Sequence, residues 1–492
     1  KATATAEGAL SATALSGAGA GAENSTTHPI SATISGSTIQ PAAAPNAADA
    51  ATVALNASSD ERILAITGGF DIALARVSED VPNPNVGSLS MGASASANQL
   101  DGAITAQIDG ASTLNAGALT LLAQDGSAIG AYALSGAMGS GTSALGRSFN
   151  GALVGAGTGN TINRPVAALI GSPGATSPGT GSLLLSSASL TAQRSAASRI
   201  VADAGGRALA DAQVKQSGRA SSLSGDFAGS FSFNSLSGGI NAGIYNITDV
   251  TVSGDLTISA SSAFHPGRPL GSSGISLPSG SISSTAGGLA VAVNRSQAEG
   301  SGQVGGGLGL VVTNNTINDA IQAQIQGVSG GADNAVTVGS LTVNATTTRQ
   351  ILAEANGDSL TYTNSQGDGQ NSIGNVTIGA VQASASVSGD LLAAVALGSG
   401  TDLHVTNGAG QGLSVTSTDL SQISTFALAV ALTPSQGNTL SSNAGLAGGG
   451  AGISNLLSSA TTASAQARNL TNKAATRVAA ATTNANNNQR RS

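Results

Sequence analysis

The side chains that could do chemistry are few in this chain and widely spaced. Its three histidines, His28, His265 and His404, lie far apart, and none has a second histidine at ligand spacing. With no cysteine in 492 residues, neither a structural zinc site nor thiol chemistry is expected. The adjacent carboxylates Asp60-Glu61 and Glu79-Asp80 would point to opposite faces of a strand. They read as solvated turns, not as an acid–base pair. Gly330-Gly-Ala-Asp333 is the nearest fragment to a calcium-binding Gly-Gly-x-Gly-x-Asp repeat, and it occurs once. Gln366-Gly-Asp368-Gly offers one carboxylate where calcium needs several oxygen ligands. The glycine runs at 305–309 and 448–452 lack the Lys-Ser/Thr of a phosphate loop. Thr346-Thr-Thr348 and Thr361-Tyr-Thr363 do not recur at a coil period, as an ice-binding face would require. The expectation is therefore no catalytic residue, no cofactor and no metal, and a protein that is not an enzyme. Only a cluster assembled from distant coils would change that.

Composition narrows the classes further. Charged residues make up 9% of the chain, against about 25% in ordinary domains. Aromatic residues make up 2% and the net charge is -7, so neither a basic groove nor a stacking platform for nucleic acid is expected. No apolar run reaches the ~18 residues of a membrane helix. The longest, 391–397 and 426–432, are strand-sized. The sequence starts at Lys1 without a signal peptide, which suggests a removed leader or a segment of something longer. The absence of Cys, the three lysines and the plentiful Thr, Ser and Asn suit an extracellular or cell-surface location on a bacterium.

Such residues need a scaffold, and the scaffold is visible as repeats. Ile30-Ser-Ala32-Thr-Ile34 returns as Ile104-Thr-Ala106-Gln-Ile108, as Val166-Ala-Ala168-Leu-Ile170 and as Ile321-Gln-Ala323-Gln-Ile325. A looser copy starts at Ile240, with Ile247 as its anchor. A second phrase follows each copy: Val53-Ala-Leu55, Leu119-Thr-Leu121, Leu183-Leu-Leu185, Leu256-Thr-Ile258 and Leu341-Thr-Val343. Three copies add a third phrase ten residues on, at Ile63, Ile129 and Ile351. The alternation places every second side chain on one strand face. Steps of 62 to 78 residues exceed a coil of ~20–25 residues, so each repeat reads as about three coils. About twenty coils would make a rod on the order of 100 Å long.

The resulting expectation is an all-β fold, a parallel β-helix (β-solenoid) with a small-residue core; antiparallel sandwiches are the competing architecture. Residues 1–29 read as an N-terminal strand or joining segment, and 30–451 as a solenoid of about five degenerate 60–80-residue repeats. Residues 452–492 read as an Ala/Asn-rich tail carrying Arg468, Lys473, Arg477, Arg490 and Arg491, with a stretch at 474–481 that could be helical.

Ile317-Asn-Asp-Ala-Ile321-Gln-Ala323-Gln-Ile325, followed by Gly339-Ser-Leu341-Thr-Val343-Asn-Ala345, resembles the repeats of giant bacterial surface proteins. These are the filamentous-haemagglutinin-like adhesins and leukotoxin-type exoproteins. The similarity is best over 310–345, with 287–294 before it, and extends over about 30–430. It implies an exported β-solenoid with a structural or adhesive role and assigns no catalytic residue. The expected function is a fibre, sheath or adhesin stalk built by self-association end to end. The alternative is a monomeric module that binds a glycan or a cell.

Overall fold

In a computed structural model the chain winds as a parallel β-solenoid. The structure describes residues 1–8, 11–40, 51–77, 84–109, 112–144, 146–174, 181–215, 221–263, 281–297, 302–327, 335–366, 372–397, 401–406, 412–437, 442–466, 470–472, 476–482 and 485–491. Among them there is no helix.

Each turn contributes to four sheets, I to IV. The second turn is typical: Arg62–Val77 in sheet I, Asn85–Asp101 in II, Ile104–Ile108 in III and Thr113–Asp125 in IV. The chain then re-enters sheet I as Ala128–Ser143, in parallel register with Arg62–Val77. Sheets II and III each hold seven strands. All seven strands of sheet II are 17 residues long, from Ser11–Thr27 to Ser442–Ser458.

One repeat is thus one coil, not three. Equivalent residues in sheet II lie 74, 62, 74 and 81 residues apart. Seven coils at ~4.8 Å give a height of about 34 Å, a third of the length expected from sequence. The reason lies in what fills the interior. Sheets III and IV enclose a head packed with Ile, Leu, Val and Ala, including Ile104, Ile170, Leu190, Ile258, Val343 and Val395. These positions produce the recurring phrases. Sheets I and II instead close on each other through Ala, Gly, Ser, Thr and Asn. The two walls are so close that a Cβ on Gly92 would stand 2.4 Å from the Gly136 carbonyl oxygen. Rows of small residues lack hydrophobic contrast, so the long strands of sheets I and II, such as Arg62–Val77 and Asn85–Asp101, do not announce themselves as parts of one turn.

Three local readings also change. Ile244, not Ile247, aligns with Ile170 and Ile325. Leu190 is the partner of Leu121, and the Leu183 phrase lies beside Leu114–Ala116, earlier in the same row. The described part of the stretch expected to be helical is the strand Thr476–Thr482, which pairs with Leu413–Asp419 and so continues sheet IV. The four-residue step from Ile317 to Ile321 is a corner between sheets II and III.

Candidate functional site

Charged side chains gather at the neck, where the apolar head meets the thin wing. Two corners face each other there. The corner from sheet II to III carries Gly102, Arg164, Gly238, Asp319 and Gly389 at equivalent positions. The end of the sheet IV strand carries Asp125, Arg194, Ser262, Thr347 and Asp419. Gly238 has φ +110°, and a Cβ there would meet the Arg164 backbone at 2.4 Å, so a side chain is possible only in alternate coils. Arg194 pairs with Asp319 and with Asp125 at 3.4 Å, all three side chains at most 1% exposed. It also donates to the carbonyls of Arg164 and Ser237. Arg164 reaches Glu61 at 3.3 Å, the Oγ of Ser59 and Ser127, and the His28 carbonyl. Arg349 takes Asp419 at 3.5 Å and the Ser388 carbonyl at 2.8 Å. Burial would lower the Arg194 pKa, but Asp319 and Asp125 outweigh it and raise it. No substrate reaches groups this enclosed; they fasten the corners of successive coils.

Inside the wing a second row runs along the axis. Asn24, Asn98, Asn160, Asn234 and Asn315 each donate Nδ2 to the Oδ1 of the next, every step 2.8 Å. Sequence reasoning missed this ladder. Its signal was an Asn two residues before each of Leu100, Ile162, Leu236 and Ile317.

The sequence candidates do not converge. His28 is exposed, its Nδ1 2.8 Å from the Thr26 hydroxyl. His404 lies on Asp402–Val405 of sheet IV. Asp60 is exposed beside Arg62, as a turn residue should be. Glu61 departs from that reading, because it serves the buried Arg164. His265, Glu79-Asp80, Asp333, Asp368, Arg468 and Lys473 lie outside the described residues. The outer face of sheet I bears a shallow groove of about 950 Å³ lined by Phe70, Leu134, Asp203, Arg207 and Asp358 among others. Burial raises the Asp203 pKa, a hydrogen bond from Thr285 lowers it in part, and the Glu354 charge raises it again.

The arrangement with the clearest capacity is at the two ends of the stack. Among the described residues nothing pairs with the outer edge of Ser11–Thr27 or of Ser442–Ser458. These strands occupy the same 17 row positions, since both trace through Asn85–Asp101 and its successors. Ile30–Ile34 and Thr461–Gln466 likewise begin at one row position of sheet III. In sheet I, Ala485–Arg491 lies on Gln422–Leu428, the first seven positions of the row. Ala2–Gly8 lies on Asp71–Val77, the last seven of the 16 positions. The unpaired N–H and C=O groups of such edges seek another strand.

No protein-family model, curated protein or solved structure matches this chain.

Proposed function

We propose that the chain is an extracellular structural β-solenoid, a stackable section of a fibre, sheath or adhesin stalk. The observation that carries this reading is the constant register of the coils: Ser11–Thr27 and Ser442–Ser458, the first and last described strands of sheet II, occupy the same 17 row positions. A second copy stacked in register would continue that row. The 17-residue edges of sheet II meet at full length. A head-to-tail joint of this kind does not close on itself and propagates as a filament. The sparse charge and the phrases resembling surface exoproteins favour the outside of a bacterial cell.

Electron microscopy of the purified chain at rising concentration tests the reading. Unbranched filaments are expected, with fibre diffraction at ~4.8 Å along the axis and a subunit repeat of about 34 Å. Deleting residues 1–14 should shorten or abolish them. Single short rods at every concentration would overturn the proposal. A second reading, a monomeric glycan-binding module, has the sheet I groove with Phe70, Asp203 and Arg207 as its site. It requires saturable polysaccharide binding that Asp203→Asn weakens.

A further inference from the structure

The outer face of sheet II combines an absence of charge with exposed apolar side chains. Five adjacent outward rows, those of Thr13, Leu15, Gly17, Gly19 and Gly21, run through all seven coils without a charged residue. The outer face of sheet I, by contrast, carries Arg62, Asp203, Arg207, Glu354 and Asp358. On sheet II large apolar side chains stand in solvent: Phe149 is 52% exposed, Val304 51% and Ile378 44%. From the first to the last row and strand, four row spacings of ~6.8 Å by six strand spacings of ~4.8 Å give a footprint of about 800 Å². That exceeds the largest apolar patch of a typical monomer, about 300–600 Å². It equals what each partner buries in a stable complex, about 800 Å².

The relief of the face indicates what covers it. Gly151, Gly225 and Gly306 form the floor of a groove of about 570 Å³. Phe149 and Leu223 border it on one side, Leu153, Phe227 and Leu308 on the other. The groove row starts at Leu15 and the ridge row at Gly17. In the third, fourth and fifth coils glycine is in the groove row and the bulky residue in the ridge row. In the first and seventh coils the order reverses, Leu15 beside Gly17 and Leu446 beside Gly448. A two-fold axis parallel to the solenoid axis and midway between these rows sets each row of one copy against the other row of its mate. In five of seven coils every bulky residue then meets a glycine. Leu89 with Met91 and Val376 with Ile378 are apolar on both sides.

We propose that this face is a lateral interface, where a second copy of the chain packs sheet to sheet with both solenoids running in the same direction. The pairing is isologous. It leaves both ends open and does not depend on axial stacking.

Sedimentation of the full chain and of full-length Leu153→Lys/Leu308→Lys tests it, each also run with residues 1–14 deleted so that axial growth is suppressed. A species of twice the chain mass is expected for the parent, and a single-chain species for the variant, with unchanged circular dichroism. Because the chain has no cysteine, Gly151→Cys and Leu153→Cys chains can be mixed and oxidised. A disulfide-linked pair should form in the mixture several-fold more than in either chain alone. A parent that sediments as one chain at all concentrations would overturn the inference, as would a variant that still pairs. A single-chain parent that floats with phosphatidylcholine vesicles would assign the face to lipid instead. Filaments without lateral pairs would reject this interface and leave the axial joint standing.

Discussion

At the scale of single residues, the interior of the wing holds polar groups where an ordinary core is oily, and each polar group has a distinct cost. Asp226 is 6% exposed, and its carboxylate accepts the Ala210 N–H at 3.0 Å. Burial pushes its pKa up to about 8, with hydrogen bonds from the Ala210 and Ala152 backbones offsetting part of that. In the unfolded chain it titrates near 3.9. Between those values the folded state holds a proton that the unfolded state has released, so stability falls as pH rises through that window. Asp226→Asn should remove this dependence. Unfolding free energies from urea titration at pH 5 and pH 9 should differ less in the variant, by on the order of a few kcal/mol; an equal pH dependence in both proteins would refute the assignment. Arg194 is the opposite case, a charge kept by its partners. Arg194→Met takes their ion-pair partner from the buried Asp125 and Asp319 and should cost about 3–5 kcal/mol in denaturant titration. A loss below ~1 kcal/mol would mean that the corner carbonyls, not the ion pairs, anchor the neck.

At the scale of elements, the asparagine row ties five consecutive strands of sheet II. Asn160→Ala takes an acceptor from Asn98 and a donor from Asn234, both buried. It should destabilise the coil stack by about 1–3 kcal/mol, read from the thermal midpoint, whereas Asn24→Ala at the row's end breaks one bond and should cost less. If the two variants melted alike, the ladder would not act as a row. The same elements show how far the sequence could be read. Sheets III and IV were legible because Ile321, Ala323 and Ile325 alternate against polar neighbours, and side chains as large as Ile mark their face. In the wing, Gly151, Ala152, Leu153 and Val154 alternate between outside and inside with no change of polarity across the sheet. Neither strand length nor coil circumference can be recovered from such a segment. The Asp125–Arg194–Asp319 cluster spans 194 residues of sequence, and no local spacing announces it. Glu61 beside Asp60 looked like an ordinary turn acid because its partner Arg164 arrives from a later coil.

At the scale of the whole molecule, once each coil has packed on its neighbours, the described residues leave unpaired strand edges at the two ends and an uncharged apolar face on sheet II. A filament of laterally paired solenoids would use both. Its mass per length should be two chains per ~34 Å, a quantity that scanning transmission electron microscopy measures directly. One chain per ~34 Å would indicate axial stacking without lateral pairing. The length of the coil has a further consequence, and it concerns time. The strand pairings between neighbouring coils join residues 62 to 86 positions apart. Closing the first loop costs entropy that no local contact offsets, so folding from the bare chain is slow to begin. Once one coil is in place its edge templates the next, and each addition costs less than the first. The chain therefore nucleates reluctantly and grows readily, and an existing end is a better starting point than solution. A trace of sonicated filaments should abolish the lag of refolding from denaturant, followed by circular dichroism, and an unchanged lag would show that folding starts within the single chain.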